Sequence, residues 1–212
     1  MLTDKEIFDA LRERAGSLTQ AQVDAVNAIL HPVRVDPTAP KVPMAWGNRV
    51  SPEFRARVRG VAANIGVDVS DLMTCMAWES GRTFSPSVKN AAGSGATGLI
   101  QFMPTTAQGL GTTTAALAAM TAVQQLDWVE KYFRPYKGKL KDLGDLYMAI
   151  LWPKAVGQPL EYVLWDKDTR PTTYRQNAGL DIDKDGEITK AECCAKLFAM
   201  KAEGQRPENI AP

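Results

Sequence analysis

One carboxylate in this sequence stands where a general acid would be useful. Glu79 closes an apolar run that includes Cys75, Met76 and Trp78, and no further Asp or Glu follows until Asp127. Apolar surroundings without a second charge disfavour the ionised form of a carboxyl group, so we expect the pKa of Glu79 to be raised. An acid that keeps its proton near neutral pH can donate it to a leaving group. The alternative is a solvated glutamate at a helix end, the common role of an isolated acidic residue.

A second group of oxygen-bearing side chains lies near the C-terminus, where residues 181–192 read DIDKDGEITKAE. This spacing resembles the twelve-residue loop of an EF-hand, in which alternating acidic residues bind Ca²⁺. The expected ligands are the carboxylates of Asp181, Asp183, Asp185 and Glu192 and the backbone carbonyl of Glu187, with Thr189 at the water-linked position. Gly186 allows the sharp turn that such a loop needs. The pattern predicts one structural Ca²⁺ site that fixes the tail, and a solvated acidic turn is the alternative.

Glu79 opens the first of two motifs that follow each other along the chain. The first motif is ESGRTFSP at residues 79–86, and the second is GATGLIQFMPTTA at residues 95–107. In this order they resemble the motifs of lytic transglycosylases of the soluble type, which are relatives of goose-type lysozyme. The resemblance covers about residues 53–155. It implies a lysozyme-like helical fold with Glu79 as the catalytic residue.

The substrate-binding residues expected from these motifs are polar or aromatic side chains near the acid. The resemblance implies that Ser80 lies beside the acid and that Gln101 lines the cleft; Gln101 also has apolar neighbours in sequence, where a polar side chain needs partners. Asn90 belongs to a polar, Gly-rich segment that suits an extended sugar chain, although a mobile surface loop has the same composition. The family's third motif usually reads AYNAG, whereas this chain reads YMAILWP from Tyr147. Tyr147 and Tyr132 are therefore both candidates for the hydroxyl of the family tyrosine.

Two predicted helices must position the acid. Ser51 is a suitable N-cap before a Pro in the first turn, and Gly66 is a suitable end for the helix that follows. A second helix, capped by the Ser-Asp pair at residues 70–71, is predicted to run through Glu79 and to stop at Gly81. The acid would then lie at a helix C-terminus, where the helix dipole further disfavours its ionised form.

The predicted fold class is all-α (mainly α). Helical periodicity and proline content divide the chain into an N-terminal helical hairpin (1–31), a Pro-rich linker (32–52), a lysozyme-like domain (53–170) and a calcium-binding tail (171–212). His31 is the single histidine, so neither a histidine-based catalytic triad nor a multi-histidine zinc site can be assembled.

Composition excludes some partners and indicates a compartment. The chain of 212 residues can bury one sizeable core plus a small appendage. Its net charge of +1 gives no broad basic field, so no nucleic acid partner is expected. Three cysteines do not make a disulfide framework, which is typical of a protein made in a reducing compartment. Neither an apolar signal core nor a stretch of transmembrane length is found, so we expect synthesis in a host cytoplasm without a signal peptide and no membrane insertion.

The spacing of carboxylates favours one mechanism over another. A retaining glycosidase needs a nucleophile about 5 Å from its acid, and an inverting one needs a base about 6.5–9.5 Å away. No carboxylate lies in the motifs to fill either role, which favours a lytic transglycosylase that uses Glu79 alone and forms 1,6-anhydromuramic acid. A hydrolytic lysozyme remains the alternative, with its second carboxylate among Asp68, Asp71, Asp127 and Asp145.

The resemblance also implies a setting. A small, signal-free enzyme that cleaves peptidoglycan resembles bacteriophage lysozymes, which act in the periplasm and cell wall after release at lysis or are carried in the virion. The expected partners are bacterial peptidoglycan and, for a virion enzyme, phage virion proteins. A further alternative is an inactive, calcium-stabilised virion protein that binds peptidoglycan.

Overall fold

A computed structural model describes residues 42–212, so the predicted hairpin (1–31) and the first part of the linker lie outside the described residues. The described helices are α1 (Pro52–Ile65), α2 (Val69–Glu79), α3 (Pro104–Gly109), α4 (Thr114–Ala118), α5 (Ala122–Phe133), α6 (Leu143–Leu151), α7 (Pro171–Asn177) and α8 (Lys190–Gly204). Two short strands, β1 (Val163–Asp166) and β2 (Glu187–Thr189), pair antiparallel. The prediction of a mainly helical protein is confirmed for this part of the chain. Among these helices, none is both long and apolar enough to cross a bilayer.

Helix α1 has the ends that the sequence predicts. The Ser51 hydroxyl accepts a hydrogen bond from the backbone N–H of Phe54 at 3.1 Å, and Gly66 ends the helix in the left-handed region at φ 79°. Left-handed backbone favours glycine because it has no Cβ to clash with the carbonyl. Local cap chemistry is therefore sufficient to define this helix.

Helix α2 ends at Glu79 as predicted but begins earlier than predicted. Its N-cap is Asp68, whose carboxylate accepts from the backbone N–H of Asp71 at 3.1 Å. The predicted cap at residues 70–71 is wrong because the Ser70 hydroxyl is used elsewhere. It is buried inside the helix and accepts from the backbone N–H of Ala45 at 3.1 Å.

Helix α2 is the centre of the core. It packs against α1, α6 and α8, and eight consecutive residues from Ser70 to Ala77 are buried. The end of the predicted linker joins the same core, since Met44 and Trp46 are fully buried. Met44 also exchanges two backbone hydrogen bonds with Ala211, at 2.7 and 3.2 Å, so this segment and the C-terminal end close on each other.

The C-terminal tail packs against the helical body. Residues 42–212 belong to one compact unit, which includes both sides of the predicted boundary at residue 170. The main buried link is an ion pair of 2.6 Å between Lys190 at the start of α8 and Asp145 in α6, both 3% exposed at their side chains. Two further ion pairs join α8 to the helix that carries the acid and to the turn after it: Lys201 with Asp71 at 2.5 Å and Glu203 with Arg82 at 2.7 Å.

We expect Lys190→Met to destabilise the protein by about 3–5 kcal/mol, because it leaves the buried carboxylate of Asp145 without its counter-charge. Urea unfolding of the variant measures this loss. The matched control is Lys196→Met, an exposed lysine on the same helix, which should change the unfolding free energy little. A loss no larger than that of the control would contradict a stabilising role of the pair.

Candidate functional site

Glu79 is the last residue of α2 and lies partly buried where the helix opens into a loop. Burial raises the pKa of its carboxyl group from 4.5 to about 7, as its apolar flanks predict. At neutral pH the group is therefore present in both its protonated and its ionised form. Such a group can donate a proton in one step and accept one in the next.

Ser80 shapes the turn that follows the acid. Its side chain is 1% exposed, and its hydroxyl donates to the Met76 carbonyl at 2.6 Å and accepts from the backbone N–H of Phe84 at 3.0 Å. The turn includes Gly81 and Arg82, both with positive φ. The structure gives Ser80 a part in holding this turn, and its predicted contact with substrate stays a prediction.

Both candidate tyrosines lie near Glu79, on α5 and α6. Burial raises the pKa of the Tyr132 and Tyr147 hydroxyls, and the charge of Glu79 contributes to both rises. Tyr132 donates its proton to the Ala149 carbonyl at 2.6 Å. Tyr147 instead accepts from Trp78 Nε1 at 3.2 Å, and its own proton has no acceptor among residues 42–212. Tyr147 is thus the hydroxyl with a proton left to donate near the acid.

The second motif forms a loop that is closed by two backbone hydrogen bonds between Thr97 and Phe102, at 3.1 and 2.9 Å. Gln101 is partly buried, and its Nε2 donates to the carbonyls of Val88 and Gly98 at 3.3 and 3.2 Å. Asn90 is exposed, and its Oδ1 accepts from the backbone N–H of Ala92 at 2.8 Å, which holds the turn that it begins. Both predicted substrate residues therefore also hold the loop that contains them.

Gln125 joins the two motifs, and the sequence reasoning above missed it. This fully buried side chain of α5 accepts from the backbone N–H of Leu99 at 2.7 Å and donates to the carbonyls of Pro86 and Leu117 at 3.0 and 2.9 Å. A signal was present, since Gln125 stands four residues before the core residue Val129 on the buried face of the helix. The rule that a polar residue in apolar surroundings needs partners applies to Gln125 as well as to Gln101.

Gly98 in the second motif is required by this junction. Its φ is 86°, and a Cβ built on it would overlap the Gln125 side chain. A side chain at this position would be strained twice, by backbone conformation and by contact. The glycine of the motif therefore has a structural reason that does not involve substrate.

The four aspartates considered as a second carboxylate are each engaged in a helix cap or an ion pair. Asp68 is the N-cap of α2 and Asp71 lies in its first turn, about 16 and 12 Å from the acid at 1.5 Å of rise per residue. Asp127 pairs with Arg57 at 2.6 Å, and Asp145 pairs with Lys190.

The acidic loop of the tail brings together three of its five predicted ligands. Carboxylate oxygens of Asp181, Asp183 and Asp185 lie within 4.8 Å of one another, an arrangement that could hold a metal ion. Asp181 is 7% exposed; its Oδ2 accepts from the Tyr174 hydroxyl at 2.6 Å, whereas its Oδ1 is buried with no hydrogen-bond partner among residues 42–212. A buried carboxylate oxygen without a donor is costly unless a cation completes its coordination. Gly186, at φ 94°, makes the predicted turn.

The remaining predicted ligands lie around this cluster. Glu192 accepts from the backbone N–H groups of Ile182 and Thr189 at 2.7 and 2.8 Å, so its carboxylate bridges the two ends of the loop. Thr189, predicted at the water-linked position, is the N-cap of α8, with its Oγ1 accepting from the Glu192 N–H at 3.3 Å. The Glu187 side chain is exposed, and its residue begins strand β2.

No family model matches this chain, and no curated protein matches it. Its function is therefore inferred from the site itself and from the motifs that form it.

We expect Glu79→Gln to stabilise the protein at pH 8 but not at pH 4. The folded state holds a proton on Glu79 up to about pH 7, whereas the unfolded chain releases it near 4.5. The folded state thus binds more protons between these values, so stability falls as pH rises through this window, by up to about 3 kcal/mol from this group. Chemical denaturation of both proteins across this range measures the difference.

The matched control is Glu161→Gln, at an exposed glutamate. Its difference from wild type should not grow across the same pH range. An equal pH dependence for both variants would show that Glu79 is not desolvated in the folded protein.

Proposed function

We propose that this protein cleaves the β-1,4 glycosidic bond between N-acetylmuramic acid and N-acetylglucosamine in bacterial peptidoglycan, as a lytic transglycosylase. The observation that carries the proposal is a single carboxyl group, Glu79, whose pKa is raised to about 7 by burial at the end of a helix. The motifs around it resemble those of this family. A lysozyme-like identity for the helical body belongs to the same proposal.

The reaction needs one group that acts first as an acid and then as a base. Glu79 donates its proton to the glycosidic oxygen as the bond to the muramyl C1 breaks, and the charge that develops on the sugar is that of an oxocarbenium ion. The resulting carboxylate then takes the proton of the muramyl C6 hydroxyl, whose oxygen bonds to C1. The products are a free N-acetylglucosamine hydroxyl and a 1,6-anhydromuramyl end, no water is consumed, and Glu79 is protonated again.

The surroundings of Glu79 favour this mechanism over hydrolysis. A hydrolase of either stereochemistry needs a second carboxylate within about 5–9.5 Å. The aspartates that were candidates for this role are in helix caps and ion pairs elsewhere. Tyr147, with an uncommitted hydroxyl proton among the described residues, is suited to hydrogen-bond the carboxylate form of Glu79 between the two steps.

We further propose that the tail loop is an EF-hand-like site for a structural Ca²⁺. Asp181, Asp183 and Asp185 would hold the ion together with the Glu187 carbonyl and Glu192, and the buried Asp181 Oδ1 without a partner fits such a ligand. A bound cation would neutralise the mutual repulsion of the carboxylates and fix the start of α8. Its contribution lies in the fold, and no step of the reaction involves it.

The setting that we propose is the bacterial cell wall during phage infection or lysis. The resemblance to phage enzymes supports it, for a protein either released at lysis or carried in the virion. Peptidoglycan is the partner in both cases.

Mass spectrometry of the muropeptides released from purified sacculi tests the mechanism. We expect anhydro-muramyl products, lighter by one water than hydrolysis products, from the wild type and about 10²–10⁴-fold less product from Glu79→Gln, the usual contribution of a general acid–base residue. Ser87→Ala, an exposed loop residue, serves as the control and should retain activity. Products with reducing muramic acid ends would establish a hydrolase instead, and activity unchanged in Glu79→Gln would contradict the assignment of the acid.

Calcium should raise the melting temperature of the chelator-treated protein. A ligand that binds only the folded state stabilises it by about 2.7 kcal/mol at one hundred times its dissociation constant. Asp181→Asn should abolish most of this response, whereas Asp168→Asn, at an exposed residue outside the cluster, should keep it. A melting curve of the wild type that does not respond to Ca²⁺ would exclude the site.

A further inference from the structure

A cavity of about 460 Å³ lies between the chain that leaves α5 and the segment that follows α6. Tyr136, Lys139 and Lys141 line it on the first side, and Pro153 and Val156 line it on the other. Its volume is within the range of small-molecule sites in proteins. None of the predicted site residues lines it.

The chain segment that lines the first side of this cavity carries only positively charged side chains. Residues 131–141 read KYFRPYKGKLK and contain no Asp or Glu. Within this segment Lys131 donates to the Leu110 carbonyl and Arg134 pairs with Glu130, but the others are not engaged in this way. Lys137, Lys139, Lys141 and the nearby Lys154 form no ion pair with any carboxylate of residues 42–212. In a protein of net charge +1, this segment is a local concentration of positive charge, which favours an anionic ligand.

The carboxylate of Asp145 joins the two walls of the cavity. Asp145 accepts from the backbone N–H of Lys141 at 3.1 Å on one wall and from that of Gly157 at 2.7 Å on the other. The same carboxylate is paired with the buried Lys190. A ligand would therefore meet preformed walls, which lowers the cost of binding.

The cavity is linked to the acid through two tyrosines. The ring of Tyr136 lies 6.3 Å from the ring of Tyr132, measured between centroids, and Tyr132 is within reach of the charge of Glu79. The ring of Tyr136 thus connects the cavity to Tyr132, one of the residues around the acid. A group attached to the sugar at the cleavage point could extend into the cavity.

We propose that this cavity, lined by Tyr136, Lys139 and Lys141, binds carboxylates of the stem peptide carried by the muramic acid next to the cleavage point. This inference rests on the proposed function, because peptidoglycan is the substrate in which a carboxylate-bearing peptide is attached to the sugar being cleaved. The glycan itself offers mainly uncharged hydroxyl and amide groups, for whose recognition lysine charges are not needed. Lysine ammonium groups pair with carboxylates as point charges and tolerate several peptide positions.

Steady-state kinetics on two matched substrates test the inference. One is uncrosslinked peptidoglycan strands with their peptides, and the other is the same strands after the peptide carboxylates have been converted to amides. For the double variant Lys139→Gln/Lys141→Gln we expect the KM for the strands with free carboxylates to rise roughly five- to tenfold, the effect of losing two exposed ion pairs. The kcat and the KM for the amidated strands should stay as in the wild type.

The matched control is Lys196→Gln/Arg206→Gln, which removes two exposed charges on the tail and should leave both substrates unaffected. An equal rise of KM on both substrates, or no rise on either, would overturn the inference. Added salt should weaken the preference of the wild type for strands with free peptide carboxylates over amidated strands, since exposed ion pairs are screened.

A binding measurement separates failure of this inference from failure of the proposed function. The wild-type protein is titrated with the free stem peptide, and the backbone resonances of Gly138 and Gly157 in the cavity wall are followed by NMR. We expect saturable shifts with the free acid and shifts at least fivefold weaker with the fully amidated peptide. If the peptide binds here but the protein cleaves no peptidoglycan, only the proposed function is refuted. If the protein cleaves peptidoglycan but these shifts are absent, only the assignment of the cavity is refuted.

Discussion

Helix α2 is buried along almost its whole length, and this burial is the constraint on which the candidate site depends. A helix packed against α1, α6 and α8 cannot shift or rotate without disturbing three interfaces, so the position of its last residue is fixed. The same packing removes water from the Glu79 carboxyl group and raises its pKa to about 7. The fold thus sets both the position and the pKa of the acid. At any pH at which Glu79 is ionised, its buried carboxylate lowers the stability of the folded protein.

The tail contributes to this constraint through α8. The acidic loop contains Glu192, which lies in the first turn of α8. Near the other end of this helix, Lys201 pairs with Asp71 and Glu203 pairs with Arg82. Loop, helix and ion pairs therefore form one connection from the acidic cluster to both ends of α2. If a cation orders the loop, as proposed above, its effect would reach the acid as rigidity of its support, not as a new contact. A contiguous chain of packed and ion-paired side chains is the kind of network that can carry such an effect.

Much of the fold followed from local rules, and the parts that did not are long-range. Ser51, Gly66 and Gly186 act at their own turns, so cap and turn chemistry identified them. The Asp68 cap was missed because Ser70, an equally good cap by residue type, binds Ala45 from 25 positions away. The ion pair of Lys190 with Asp145 joins residues 45 positions apart, and no periodicity or motif specifies such a partner. The candidate acid and the acidic loop were found because their chemistry is written in consecutive residues, whereas the residues that hold them are spread through the chain.

The cationic cavity and the raised pKa of Glu79 make opposite electrostatic demands. A positive charge within about 4–6 Å of a carboxyl group favours its ionised form and would lower its pKa. Burial is the cause of the shift at Glu79, so the lysines of the cavity are far enough away not to lower this pKa. The rings of Tyr132 and Tyr136 are 6.3 Å apart, measured between centroids, and they link the two regions. Recognition of an anionic group next to the acid, as proposed above, needs the lysines to be kept away from Glu79, and the segment from Tyr132 to Lys141, which leaves α5, carries both the rings and the lysines on one continuous stretch of chain.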